Sequence, residues 1–217
     1  VEIAPFIDST NLKPEATELD ISNLCEEAVN YNMAAVCVQP YRVKKVAEFL
    51  SSSSVKPCTV IGFPLGADGV EVKLYSANTA LEQGAKELDL VINIGAVKDN
   101  NIKVVSNEIE EMLKLKLNYN FILKVIVETA LLTQKELIKL TELISYLEAD
   151  YIKTSTGFAS RGVNMQDIKI INNHKSNKLK IKASGGIKDF NFALDLINAG
   201  VSRLGTSSAK HLILHNA

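Results

Sequence analysis

Three lysines sit on short apolar runs of strand character: Lys124 in FILKVIVET, Lys153 in DYIKTSTGF and Lys182 in IKASGGI. An amphipathic surface would not need a lysine at such positions, and a buried ammonium is costly unless it is paired or used. A lysine amine is nucleophilic only without its proton. An unperturbed pKa of about 10.4 leaves little free amine at pH 7. Burial and a second ammonium nearby both favour the neutral form. Lysines grouped beside a carboxylate therefore suit Schiff-base chemistry on a carbonyl. Asp89, in ELDLVINI, is the candidate carboxylate. Passive binding of a polyanion is the alternative, but it leaves a carboxylate buried beside the lysines unexplained.

The glycines point to a second half of the site. Ser184-Gly185-Gly186 follows Lys182, and Gly205-Thr206-Ser207-Ser208 follows the last apolar run. Backbone N–H groups of glycine and serine hydroxyls suit a phosphate, above all at a helix N-terminus. Gly157, in the turn after Lys153, adds a further backbone donor. Each segment alone is also ordinary turn chemistry, so its weight depends on a fold that brings the segments together.

Apolar periodicity predicts strands over residues 6–8, 34–38, 55–63, 86–94, 121–127, 151–153, 179–183 and 201–204. Helices are expected over 15–31, 41–50, 69–83, 101–116, 165–173, 190–198 and 207–215. Another begins near Thr133, where Glu136 completes a capping-box pattern. Eight strand–helix units predict an α/β fold, a (β/α)8 TIM barrel, as a single domain spanning residues 1–217. An open doubly wound sheet is the runner-up, and no GxGxxG or GxxxxGK[ST] loop supports it. In a barrel the strand C-termini carry the chemistry. There the polar residues gather: Asp8 after strand one, Asp89 and Asn93 on strand four, Lys124 and Glu128 on strand five, Lys153, Lys182 and Ser184 beyond. Alternation puts Glu87, Asp89, Lys124 and Lys182 inside the barrel and Leu88, Leu90 and Ile92 against the helices. Lys180 shares the parity of Lys182 and should point inward lower down, to pair with Glu87 or to extend to the bottom face.

Composition narrows the classes of partner. The 217 residues are 47% hydrophobic, with 24 Lys+Arg against 25 Asp+Glu, so the formal charge is -1. No broad basic surface for nucleic acid or membrane is expected. Cys25, Cys37 and Cys58 form no CxxC pair and read as reduced, buried thiols of a cytoplasmic protein. The N-terminal residues lack a signal-peptide pattern, and no uncharged apolar stretch reaches membrane-spanning length. His211 and His215 are four apart, but HLILH lacks the glutamate of a metal-binding HExxH, so no metal site is expected.

With these segments in place, the sequence resembles the deoxyribose-phosphate aldolases, a family of class I aldolases. LCEEA, AAVCVQP, CTVIGFPLGA, ELDLVINIGA, LKVIVETALLT, DYIKTSTGF, IKASGGI and RLGTSSA carry the resemblance over nearly the whole chain. It implies reversible cleavage of 2-deoxy-D-ribose 5-phosphate to glyceraldehyde 3-phosphate and acetaldehyde, with no metal or organic cofactor. By resemblance, Lys153 forms the Schiff base, Lys182 is the second lysine that favours its free amine, and Asp89 is the partner in proton transfer. Lys124 joins the same polar network on the substrate side. Gly157, Gly185, Gly186, Gly205, Ser207 and Ser208 surround the phosphate. The implied partner is a small phosphorylated sugar, and the implied assembly a homodimer. Asp8-Ser9-Thr10 departs from the usual DHT, and Cys37-Val38-Gln39-Pro40 from CVNP. Some members end in a tyrosine tail that reaches the site, to which His215-Asn216-Ala217 has no counterpart. Two other readings of the lysines stay open: another Schiff-base aldolase of a sugar phosphate, such as a transaldolase-like enzyme, or a barrel that only binds a sugar phosphate.

Overall fold

The computed structural model describes residues 2–214. Eight parallel strands pair in sequence order and close on themselves: β1 (Ile7–Asn11), β2 (Ala35–Val38), β3 (Lys56–Ile61), β4 (Glu87–Val91), β5 (Ile122–Ile126), β6 (Tyr151–Lys153), β7 (Lys180–Ser184) and β8 (Arg203–Thr206). This is the expected (β/α)8 barrel. Around it lie α1 (Glu18–Asn30), α2 (Val43–Phe49), α3 (Val70–Glu82), α4 (Ile94–Lys98), α5 (Ile102–Lys114), α6 (Gln134–Tyr146), α7 (Met165–His174), α8 (Phe190–Asn198) and α9 (Ala209–Leu214).

Side-chain alternation gives the barrel two unlike faces. Outward residues such as Leu88, Leu90, Leu123, Val125, Ile152 and Ile181 join the helices in one continuous apolar core. Burying each such side chain stabilises the fold by about 1.5–3 kcal/mol. Inside, β2 and β3 supply the small apolar groups Ala35, Cys37, Cys58 and Val60. The remaining strands supply buried charge: Asp8, Glu87, Asp89, Lys124, Lys153 and Lys182. Arg203 on β8 reaches Glu87 on β4, a contact between non-neighbouring strands that must cross the barrel interior.

The elements differ from the sequence expectation where local hydrogen bonds decide the boundary. Helix α1 starts at Glu18 rather than residue 15. Thr17 caps it: the Thr17 hydroxyl accepts from the Asp20 N–H, and the Asp20 carboxylate accepts from the Thr17 N–H. The expected Thr133–Glu136 capping box is present on α6. Strand β1 continues to Asn11, so Asp8 lies within the strand and not after it. Strand β4 ends at Val91, and Asn93 instead caps α4 by accepting from the Ala96 N–H. Glu128 likewise lies beyond β5, in the left-handed region at φ 53°.

Strand eight begins two residues later than expected. The N–H groups of Gly200 and Val201 fold back to Ile197 and Leu196, closing α8, and Gly200 takes the left-handed turn at φ 93°. Gly205 and Thr206 are therefore strand residues, not loop. Lys180 is exposed, with Nζ 5.7 Å from the centroid of the Tyr151 ring, while Glu87 is taken by Lys124 and Arg203. Of the two expectations for Lys180, the solvent-reaching one holds. His215 lies outside the described residues.

A second buried ion pair braces the ends of β3 and β4. Lys73 Nζ contacts Glu108 at 2.6 Å and donates to the carbonyls of Gly66 and Val91, while Glu108 accepts from the Asn93 N–H. One ammonium thus ties the loop after β3 to the end of β4.

Candidate active site

Register brings the expected residues together. Lys153 pairs directly with Lys182 across β6–β7, and Asp89 with Lys124 across β4–β5. All four point inward, and the three lysines converge on the Asp89 carboxylate. Lys124 Nζ lies 2.9 Å from Oδ1, and Lys153 and Lys182 lie 2.8 Å and 2.7 Å from Oδ2. The network extends below this level. Lys182 contacts Asp8 at 2.5 Å, and Lys124 contacts Glu87 at 2.5 Å. Arg203 bridges Asp8 at 2.5 Å and Glu87 at 2.9 Å.

Four cations thus face three carboxylates. Ions taken from water are tolerable only when so paired, and removal of one proton from this set leaves it balanced. Burial alone would raise the Asp89 carboxyl, but the ammoniums of Lys124, Lys153 and Lys182 hold it well below the ordinary range. Burial alone would lower Lys182, but Asp8 and Asp89 outweigh it and push Lys182 up, so its charge persists. Lys124 is raised in the same way, against burial, by Asp89, Cys58, Glu87 and Asp8. The Cys58 thiol, raised by burial and by its neighbour Cys37, donates to Asp89 Oδ1 at 3.3 Å. Cys58 and Cys37 are free thiols, as expected, but they belong to the barrel interior. Cys37, Cys58 and Asp89 are close enough to share a cation, as are Asp8, Cys58 and Glu87. Their carboxylates are already held by ammoniums, so a metal would have to displace these first.

Of this charged set, Lys153 lines the cavity above it. A hollow of about 590 Å³ opens at the C-terminal ends of the strands, walled by residues 10–13, 156–158, 184–188 and 205–207 together with Leu24 and Lys153. Gly157, Gly185, Gly186, Gly205 and Ser207, the residues expected around a phosphate, line it. Lys182, Asp89 and Lys124 lie beneath the floor. Lys124, expected on the substrate side, is fully buried among carboxylates and is not on the wall of this cavity. Ser208 is also off the wall, and its N–H donates to Thr206 Oγ1.

Glycines mark close approaches around the site. A Cβ at Gly162 would fall 1.9 Å from the Gly185 carbonyl oxygen, so the loops after β6 and β7 touch backbone to backbone. A Cβ at Gly205 would come within 3.1 Å of Lys182 Cε and 3.0 Å of Ser184 Cβ. Gly205 therefore leaves room for the second lysine as well as lining the cavity.

A profile of the DeoC/LacD family aldolases matches residues 4–205. The chain is 47% identical over 214 residues to deoxyribose-phosphate aldolase of Thermococcus kodakarensis, covering 98% of this chain and 96% of that one. The chain belongs to the DeoC/LacD aldolase family. It is 45% identical to the deoxyribose-phosphate aldolase of Clostridium tetani, covering 98% of both chains. Among solved structures, an aldolase named QR15 superposes with a TM-score of 0.94 at 38% identity, covering 100% of this chain and 96% of that one. Deoxyribose phosphate aldolase from Aeropyrum pernix, described as tetrameric, gives a TM-score of 0.91 at 36% identity, over 99% and 90% of the two chains.

Within this aldolase, the two departures from the family pattern lie off the lysines. Ser9 is buried between strands on the opposite parity from Asp8, and Gln39 donates to the Leu12 carbonyl at 2.9 Å, tying β2 to the cavity wall. Sequence reading missed Lys13 and Lys188, which line the cavity, because each reads as an ordinary loop lysine. It also missed Arg203, whose inward parity was hidden by the misplaced start of strand eight.

Proposed function

We propose that this chain cleaves 2-deoxy-D-ribose 5-phosphate reversibly to D-glyceraldehyde 3-phosphate and acetaldehyde, through an imine on Lys153. One observation carries the assignment of roles: Lys153 is the member of the buried charge cluster on the cavity wall, and it shares Asp89 Oδ2 with the fully buried Lys182.

The free amine of Lys153 attacks the aldehyde carbon C1 of the open-chain sugar, and loss of water gives an iminium. A base takes the C3 hydroxyl proton, the C2–C3 bond breaks, and its electron pair moves into the iminium to form an enamine. Glyceraldehyde 3-phosphate leaves. Protonation of the enamine at C2 and hydrolysis release acetaldehyde and restore Lys153. Asp89 serves proton transfer, through water, and Lys182 supplies a fixed positive charge beside the Lys153 amine. Gly157, Gly185, Gly186 and Ser207 offer donors to the phosphate, and Lys13 and Lys188 add charge of the right sign. Lys124 holds Asp89 in place from below.

The whole chain is read as one barrel domain, acting in the cytoplasm as a homodimer. No described helix is long and apolar enough to cross a membrane, and two-fold dimers are the commonest assembly. The test is turnover: deoxyribose 5-phosphate should be cleaved with glyceraldehyde 3-phosphate detected, fructose 6-phosphate should be far poorer, and Lys153→Leu should be inactive. Tight binding without cleavage, or a preference for fructose 6-phosphate, would overturn the reading.

A further inference from the structure

Glu128 is expensive for the fold in two ways. Its backbone is left-handed at φ 53°, which a residue with a Cβ adopts only at a cost. Its carboxylate is buried, and Oε1 has no hydrogen-bond partner among the described residues. The other oxygen, Oε2, accepts both the N–H of Thr156, at 3.1 Å, and the Thr156 hydroxyl. Thr156 Oγ1 in turn accepts from the Phe158 N–H at 3.0 Å. The turn after Lys153 is thus shaped by one carboxylate reaching across from the end of β5. Neighbouring contacts brace the same loop. The Thr129 N–H donates to the Thr154 carbonyl, and Arg161 grips both Asp167 oxygens and the Thr129 carbonyl.

Of three successive N–H groups in this turn, those of Thr156 and Phe158 are taken. The Gly157 N–H between them has no acceptor among the described residues, and Gly157 lies on the cavity wall. We propose that Glu128 is a positioning residue for the phosphate end of the substrate: by holding Thr156 it fixes the turn and presents the Gly157 N–H to the phosphate. This rests on the deoxyribose 5-phosphate reading above. Glu128 touches neither the substrate nor Lys153; it acts through Thr156.

The experiment compares kcat/KM for deoxyribose 5-phosphate and for unphosphorylated deoxyribose in wild type, Glu128→Gly and Glu128→Gln. Glycine accepts the left-handed backbone without strain, so Glu128→Gly should keep its thermal stability. Its kcat/KM for the phosphorylated sugar should fall tenfold or more, through KM, while that for deoxyribose changes less than threefold. Glu128→Gln, whose amide oxygen can accept the same two donors, should restore most of the phosphate preference. Glu128→Asn, which tolerates the backbone but is too short to span to Thr156, serves if the glycine variant does not fold. An unchanged preference, or equal losses on both sugars, would overturn the role of Glu128. Failure of the wild-type protein to cleave deoxyribose 5-phosphate would instead overturn the reading on which it rests.

Discussion

Removing the Lys182 ammonium should cost turnover in a pH-dependent way. Lys153 and Lys182 each donate to the same oxygen of Asp89, so their nitrogens are about 4–5 Å apart if both bonds are made at ordinary angles. Two like charges at that distance repel by roughly 3–4 kcal/mol at an effective dielectric near 20. That energy corresponds to a factor of a few hundred in a rate that it governs. Lys182 is raised by Asp8 and Asp89, so it keeps its charge across the assay range and its own titration does not blur the result. In Lys182→Leu the cluster has three cations for three carboxylates, and the repulsion on Lys153 is gone. kcat/KM should therefore fall about a hundredfold or more at pH 7 and recover most of the loss as pH rises toward 10. Imine trapped by borohydride should rise in parallel. The variant should still fold, with a stability cost of about 3–5 kcal/mol for breaking buried pairs. An equal loss at every pH would refute a charge effect and make Lys182 a direct proton donor or a purely geometric support.

Other outcomes follow from the same geometry. Asp89 is depressed in the folded state, so its contribution to stability is full above the ordinary aspartate range and lost as pH falls below it. Asp89→Asn should be less stable than wild type by about 3–5 kcal/mol at pH 7; in urea titrations the gap should narrow by about 1 kcal/mol per pH unit below roughly pH 4, and a constant gap would contradict the pairing. Gly205→Val should press on Lys182 and Ser184 and lower kcat about tenfold or more; unchanged kinetics would mean the β8 backbone yields freely. Light scattering at micromolar concentration should give a dimer, and a monomer would contradict the assembly while leaving the site intact.

The chemistry was more legible than the boundaries. Lys124, Lys153, Lys182 and Asp89 stand on runs whose alternation allows one inward face, and a parallel barrel makes neighbouring inward residues meet. Hence the convergence on Asp89 could be read from order and parity alone. Arg203 could not, because its partners Asp8 and Glu87 come from across the barrel, and the start of β8 depends on how α8 ends at Gly200 and Val201. Glu128 reads as a strand residue in VIVET; only its three-dimensional link to Thr156 distinguishes it. Lys124 reads as an inward residue near the substrate but lies beneath the cavity, since parity fixes a face and not a depth. Thr17 rather than Glu15 opens α1 because a capping box outweighs proximity to Pro14.

The central claim is that Lys153 is the amine that carries the substrate. Borohydride added during turnover of deoxyribose 5-phosphate should raise the protein mass by one reduced adduct, and peptide mapping should place it on Lys153, with none in Lys153→Leu. An adduct on another lysine, or continued turnover with no adduct on Lys153, would contradict the account.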